Sequence, residues 1–455
     1  MQEFNRDLFM ELINNIRQNK DRYDKIDPGV FQQYGVKRGL RNSDGTGVLA
    51  GVTMVGHVYG YVVEDSEPVP IEGRLDYRGI GINSIIEGYK EDDRFGFEET
   101  SYLLLFGTLP TKDQLDMWRS LLAGSRALPD HFTEDMILKA PSPDIMNKLA
   151  ACILSLYSYD ENPEDMSIEN QLRQSLQLIA RFGTIISHAY MCKRQRYNGE
   201  SLYLHYPRDE YSTAQNLLYC VRQDNKFTDE EAKLLDLMLV LHAEHGGGNN
   251  SAFSCRVLTS SGTDIYSAIS AAVCSLKGPR HGGANKRVMD MFDDIKQNVR
   301  DWADEDEVRL YLGKIIRKEA GDKSGLVYGM GHAVYTKSDP RAIILRRYAR
   351  ELAAKSGLSE ELKLMESVER LTPEVFEMLK GSTKTISANV DMYSGLVYKM
   401  LGISPDLYTP MFALARIVGW CAHRIEEVTT GGRIIRPAYK AIGSEREYVP
   451  LSERK

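Results

Sequence analysis

The hydrophobic pattern of this chain changes period near residue 96. Upstream, the run from Gly39 to Ile82 alternates short β-branched and aromatic stretches such as VYGYVV with glycine and proline, the pattern of small hairpins. The first twenty residues, MQEFNRDLFMELINNIRQNK, instead read as an amphipathic helix of mixed charge. From about residue 96 onward apolar positions recur at helical spacing almost throughout. Thr111 with Gln114, and Thr228 with Glu231, form capping boxes that open two helices. Asp339-Pro340 sets a cap and a first-turn proline for a helix that Gly357 ends. NVDMYSGLVYKMLG closes at Gly402, and PMFALARIVGWCAHRIEEVTTGG is a long apolar-striped helix stopped by Gly431-Gly432. Strands and helices do not alternate, which argues against a parallel α/β sheet. The expected fold is mainly α, with a small β element near the N-terminus.

Composition adds limits. A chain of 455 residues exceeds one small core, so two domains are expected. With 42% apolar and 27% charged residues it has an ordinary globular balance, and its net charge of −7 argues against a nucleic-acid partner. No run of ~18 apolar residues occurs, so no membrane span is expected. The N-terminus lacks the apolar stretch of a secretory signal, and Glu3, Asp7 and Glu11 disfavour a transit peptide. The cysteines at 152, 192, 220, 255, 274 and 421 form no CxxC pair and read as reduced thiols of a cytoplasmic protein.

Glycine-rich breaks at 246–248, 278–283, 329–331 and 431–432 mark where clefts between helices tend to sit. Four of the nine histidines stand beside them: His242 and His245 in LHAEHGGGNNSAF, His281 in KGPRHGGANKRV, and His332 in YGMGHAVYTKSDPR. Glycine beside histidine lets backbone and ligand approach closely. A lone histidine is more often a satisfied core residue, but this grouping weighs against that. A metallohydrolase centre on His242, Glu244 and His245 is one alternative, since residues three apart share a helix face. The run H-A-E-H matches neither zinc-protease pattern, so no metal is expected. Gly79-Ile-Gly81 and Gly329-Met-Gly331 are truncated nucleotide-loop patterns, and no P-loop is present. Among the acids, Asp391 stands out because its flanks are apolar or small; in a dry cleft its pKa would rise. Arg416 interrupts an apolar helix, a costly place for an unpartnered charge. Arg341 lies in the first turn of its helix and Arg436 follows the double glycine; such planar forks suit a dicarboxylate.

Taken in chain order, LHAEHGGGNNSA, GPRHGGAN, GMGHAVYTKSDPR and NVDMYSG resemble the signature blocks of the citrate synthase family. EGRLDYRGIGINSIIE and LLLFGTLPTKDQL are similar to its earlier elements, and the likeness spans roughly residues 40–440. The resemblance implies a catalytic trio at His281, His332 and Asp391. It implies oxaloacetate contacts at His245, Arg341 and Arg416, with Arg436 supplied by the other subunit of a homodimer. The segment Leu326, Val327, Tyr328, Gly329, Met330 and Gly331 would meet coenzyme A. The implied fold is all-α and two-domain, here 1–281 with 393–455 as the large domain and 282–392 as the small one. The implied activity is condensation of acetyl-CoA with oxaloacetate in the tricarboxylic acid cycle, with no cofactor, nucleic acid or membrane. A 2-methylcitrate synthase using propionyl-CoA is the near alternative. Two departures touch no catalytic side chain: Glu244-His245-Gly246 stands where the family often has D-H-E or D-H-G, and Gly283 where it often has Leu or Ala.

Overall fold

The structure is a computed structural model that describes residues 5–18, 26–42, 45–64, 67–381 and 386–454. It comprises two compact units, residues 1–52 and 53–455. The first contains the helices Arg6–Gln18 and Pro28–Gln33 and a bridge between Arg41 and Gly47. The amphipathic helix expected over residues 1–20 falls on Arg6–Gln18; residues 1–4, 19 and 20 lie outside the described ones.

The second unit opens with the expected hairpin. Strands β1 (Gly56–Glu64) and β2 (Glu67–Tyr77) pair antiparallel, with Gly56 opposite Tyr77, and β3 (Ile80–Gly81) completes the sheet in the order β1-β2-β3. Residues 65 and 66 lie outside the described residues. Helix begins earlier than the change of period at 96 suggests. Ile82–Glu91 is helical, burying Ile82, Ile85, Ile86 and Tyr89 at spacings of three and four. It follows directly on the segment that reads as hairpin, and glycines at 79, 81 and 88 interrupt its short apolar period.

The caps place the later helices as expected. Thr111 and Gln114 close a capping box on Lys112–Gly124, and Thr228 and Glu231 do the same for Asp229–His242. Asp339 caps Pro340–Ser356, which ends in a left-handed Gly357. Asp391–Met400 begins at the singled-out aspartate. Two features carried no sequence signal: a π-helical turn over Thr133–Leu138, and a stretch without helix or strand between Asn198 and Thr213.

The central element is the helix Tyr408–Thr430, buried at nearly every position from Tyr408 to Ile425. It packs against Ile168–Asn198, Asn250–Thr259, Asp229–His242, Ile265–Lys277 and Phe97–Phe106. Two of its arginines are buried with opposite consequences. Arg424 is satisfied by Gln171 Oε1 at 2.7 Å, Thr259 Oγ1 at 3.1 Å and the Thr263 carbonyl at 2.8 Å. Arg416 donates from Nε to the His242 carbonyl at 2.6 Å, and its buried Nη2 has no partner among the described residues. A buried donor left unmade costs about 1–3 kcal/mol, more when charged, so Arg416 marks a place built for something else. Among the described residues no helix is long and apolar enough to cross a membrane.

Candidate active site

Four segments meet around Arg416. The first is the end of the helix Asp229–His242. Tyr77, at the end of β2, donates to the Val240 carbonyl at 2.9 Å and accepts from the Glu244 amide at 3.3 Å, tying the sheet to the turn that carries His245. The His242 Nδ1 donates to the Met238 carbonyl at 2.7 Å. Burial holds His242 down to about 3, with Arg341 and Arg416 adding to the effect. Burial also holds His245 well below the usual imidazole range, and its buried Nε2 has no partner among the described residues.

The second segment carries His281, in the turn after Ile265–Lys277. Its Nε2 lies 2.9 Å from Ser251 Oγ. The Ser275 hydroxyl is committed to Asn250 Oδ1 at 2.5 Å, and Ser251 reaches Ser275 only at 3.4 Å. A Ser251 hydroxyl that donates to Nε2 leaves the single proton of the neutral imidazole on Nδ1. Burial, then Arg416, pushes His281 down to about 4.

The third segment is the loop 326–341. His332 Nδ1 accepts from the backbone amides of Val334 at 3.0 Å and Tyr335 at 3.1 Å, which fixes the proton of the neutral ring on Nε2. The ring stacks on His245, centroids 5.0 Å apart and 12° from parallel, and on Tyr335 at 4.7 Å. The sheet supports this loop: Thr336 donates to the Gly60 carbonyl at 3.4 Å, and the Gly73 amide donates to Ser338 Oγ at 3.1 Å. Arg341 is clamped by Asp339, Nε to Oδ1 at 3.0 Å and Nη2 to Oδ2 at 2.7 Å. Burial works against its charge, but Asp339 more than offsets this and holds the guanidinium above its ordinary value.

The fourth segment, 386–391, is zipped to the third. Gly331 donates to the Ser387 carbonyl at 2.7 Å, Asn389 to the Gly329 carbonyl at 2.8 Å, and Asn389 Nδ2 to the Gly331 carbonyl at 2.8 Å. Gly329 and Gly331 have φ of 85° and 86°, a region open to glycine. Asp339 Oδ2 also accepts from the Val390 amide at 3.1 Å. One carboxylate therefore holds both Arg341 and the start of the helix that carries Asp391. Burial raises Asp391 to about 6, against the pull of Arg341 and Arg416.

The chain itself thus gathers His245, His281, His332, Arg341, Asp391 and Arg416 into one electrostatic cluster. Arg436 is not among them; it is exposed on the segment after Gly431. Of the segment expected to meet coenzyme A, Leu326 is exposed, Val327 is buried, and Tyr328 and Met330 pack partly on the core. Tyr328 accepts from Arg287 Nη1 at 2.8 Å and donates to Asp322 Oδ2 at 2.5 Å. His242, Glu244 and His245 do not form a metal-holding group, and no cluster of three or more such ligands occurs among the described residues. A cavity of about 740 Å³ borders the third and fourth segments at Lys337, Ser387 and Ala388 and is otherwise walled by Trp302, Arg350 and Arg370, with none of His245, His281, His332 or Asp391 in its lining.

Sequence reasoning missed Asp339 as a clamp, Ser251 as the partner of His281, and Gly419. Asp339 had a visible capping role that concealed its second oxygen; Ser251 carried no signal. Gly419 could have been flagged as a glycine inside a long helix. A Cβ there would fall on Glu244 Oε2 and within 2.6 Å of the Ala243 carbonyl. Gly→Ala in an open helix interior stabilises by about 1 kcal/mol, but overpacking a rigid site costs about 1–3 kcal/mol. Gly419→Ala is therefore expected to lower the melting temperature by displacing the Ala243–His245 turn. A melting temperature at or above that of the parent would show the helix yields there.

A mainly helical frame around a dry cluster of neutral imidazoles, a carboxyl that titrates near neutrality and buried guanidiniums defines an acid–base enzyme. The profile of one family, described as citrate synthase, C-terminal domain, matches residues 46–438. The citrate synthase of Deinococcus radiodurans is 35% identical over 385 residues, 84% of this chain and 93% of that protein. The 2-methylcitrate synthase of Shewanella oneidensis is 31% identical, covering 84% of this chain and 92% of that protein. The citrate synthase of Thermoplasma acidophilum, solved as a ternary complex with carboxymethyl coenzyme A and oxaloacetate, superposes with a TM-score of 0.76 at 27% identity, over 92% of this chain and 99% of that one. The chain belongs to the citrate synthase family, a family of transferases.

Proposed function

We propose that this enzyme condenses acetyl-CoA with oxaloacetate and hydrolyses the resulting citryl-CoA to citrate and CoA. The observation that carries the reading is Asp391, a buried carboxyl raised to about 6, set in one charge cluster with neutral His281 and the stacked His245–His332 pair. The ligands named in the Thermoplasma acidophilum complex support these substrates.

In this mechanism the Asp391 carboxylate removes a proton from the thioester methyl group. The charge that develops on the thioester oxygen is met by the His281 Nδ1–H, whose tautomer Ser251 maintains. The enol or enolate carbon then attacks the oxaloacetate ketone, and the His332 Nε2–H donates to the oxygen that becomes the alcohol. His245, Arg341 and Arg416 hold the ketoacid, and water cleaves citryl-CoA. Fixed neutral donors supply the charge stabilisation, so the scheme uses no metal or cofactor. The segment 326–331 would receive coenzyme A. A small domain, 282–392, would close on the remainder after the ketoacid binds, excluding water; its residues 382–385 lie outside the described ones.

Arg436 would complete the ketoacid site of a second copy. In support, the segment after Gly431 exposes Ile434, Tyr439, Tyr448 and Leu451, an apolar series suited to a homodimer interface. Free thiols at all six cysteines suit a cytoplasmic enzyme, and the product suits the tricarboxylic acid cycle.

CoA release measured with acetyl-CoA and propionyl-CoA, each with and without oxaloacetate, tests the reading. Ketoacid-dependent release faster with acetyl-CoA is expected. Faster release with propionyl-CoA would make the enzyme a 2-methylcitrate synthase, and release independent of ketoacid would remove the condensation.

A further inference from the structure

Glu244 is a fully buried carboxylate immediately before His245, and the catalytic scheme gives it no task. Its Oε1 lies 2.8 Å from His423 Nε2, and both side chains have 0% exposure. His423 Nδ1 lies 2.8 Å from Arg256 Nη2. A guanidinium only donates, so Nδ1 accepts, and the single proton of the ring sits on Nε2, where it is given to Glu244. Arg256 is held in turn by Glu427 Oε2 at 2.9 Å, by Glu426, and by Thr53 Oγ1 at 3.3 Å. The result is a directed chain from a half-buried acidic pair, through arginine and imidazole, to the residue beside His245.

The carboxylate sits in a fitted socket. A Cβ at Gly419 would strike its Oε2, and one at Gly56 would lie 2.7 Å from its Cγ. Among the described residues neither its buried Oε2 nor Arg416 Nη2 has a hydrogen-bond partner, and the two groups attract each other across the site. Burial works against the Glu244 charge, but His423 and then Arg416 hold the group below the usual carboxylate range. Glu244 is thus attached on one side to a tautomer-locked histidine and on the other borders the two ketoacid-facing groups, His245 by the chain and Arg416 by charge.

We propose that the Glu244–His423 pair is a positioning device for the ketoacid subsite, fixing His245 and Arg416 from behind. This rests on the functional reading above. The pair touches no substrate; it sets the geometry of groups that do, and misplacement of such groups by about 1 Å costs up to ~100-fold.

The test compares His423→Phe with His423→Gln in the full-length enzyme. Phenylalanine neither donates to Glu244 nor accepts from Arg256; glutamine offers an amide donor and a carbonyl acceptor and can do both. His423→Phe is expected to raise the KM for oxaloacetate about tenfold or more, with the KM for acetyl-CoA within about twofold, and His423→Gln to restore most of it. An unchanged ketoacid KM in folded His423→Phe, equal damage to both KM values, or no recovery in His423→Gln would overturn the proposal. Should His423→Phe fail to fold by circular dichroism, Arg256→Met decides. It removes the donor that fixes the ring's tautomer, so the same selective rise in ketoacid KM is expected, and an unmoved KM overturns the pair's role. Parent enzyme assayed alongside separates the two levels: no ketoacid-dependent CoA release from the parent would sink the functional reading, whereas normal parental release with unmoved variants would sink only the positioning role.

Discussion

Asp391→Asn is expected to lower kcat by about 10²- to 10⁴-fold, the usual range for a positioned general base, while oxaloacetate still binds. The amide is isosteric but takes no proton, so the change removes basicity and leaves shape. The surroundings make the loss specific. Asp391 is lifted to about 6 by burial, which strengthens it as a base at neutral pH while leaving it mostly ionised there. Its helix start is held by Asn389 Oδ1, which accepts the Asp391 amide at 2.9 Å, and by Asp339 at Val390; neither contact uses the Asp391 carboxyl. The scaffold should therefore survive. Steady-state kinetics paired with calorimetric titration of oxaloacetate checks this: near-normal turnover would exclude Asp391 as the base, and lost binding would point to structural collapse.

His281→Ala is expected to depress kcat by about 10²- to 10³-fold, the scale for a lost oxyanion donor. The imidazole cannot act as a charged acid at neutral pH, because burial and Arg416 hold it near 4. It is a neutral donor, and its value lies in being aimed and dry. The KM for oxaloacetate should change little, since His281 faces the thioester in the proposed scheme. A kcat reduced less than about tenfold would make His281 a structural residue of the turn before Ala284–Asn298.

Much of this was legible in the sequence because the signals were local. Capping boxes at Thr111 and Thr228, the Asp339-Pro340 start and the glycine stops at 357 and 431 each act within a turn or two of backbone, and each helix lies where its cap predicts. The helix Ile82–Glu91 escaped because strand-like neighbours and glycines masked a short apolar period. The site followed the same rule. Histidines beside glycine breaks and an arginine in an apolar helix were visible as local anomalies, and the structure gathers His245, His281, His332 and Arg416 together. What stayed hidden were partnerships between distant segments: Asp339 reaching Val390, Ser251 reaching His281, His423 reaching Glu244. No short-range pattern encodes which oxygen meets which nitrogen across separations of 30 to 179 residues. Arg436 stands apart, because one copy of the chain leaves it exposed.

The most direct measurement is the pH dependence of kcat/KM for acetyl-CoA at saturating oxaloacetate. A base must be ionised to act, so activity should be lost as pH falls through the raised value of Asp391, about 6, with a limiting slope of about tenfold per pH unit, as for a single protonation. His281, near 4, should add nothing until well below that. A profile flat from pH 7 to pH 5 in folded enzyme would contradict proton abstraction by Asp391.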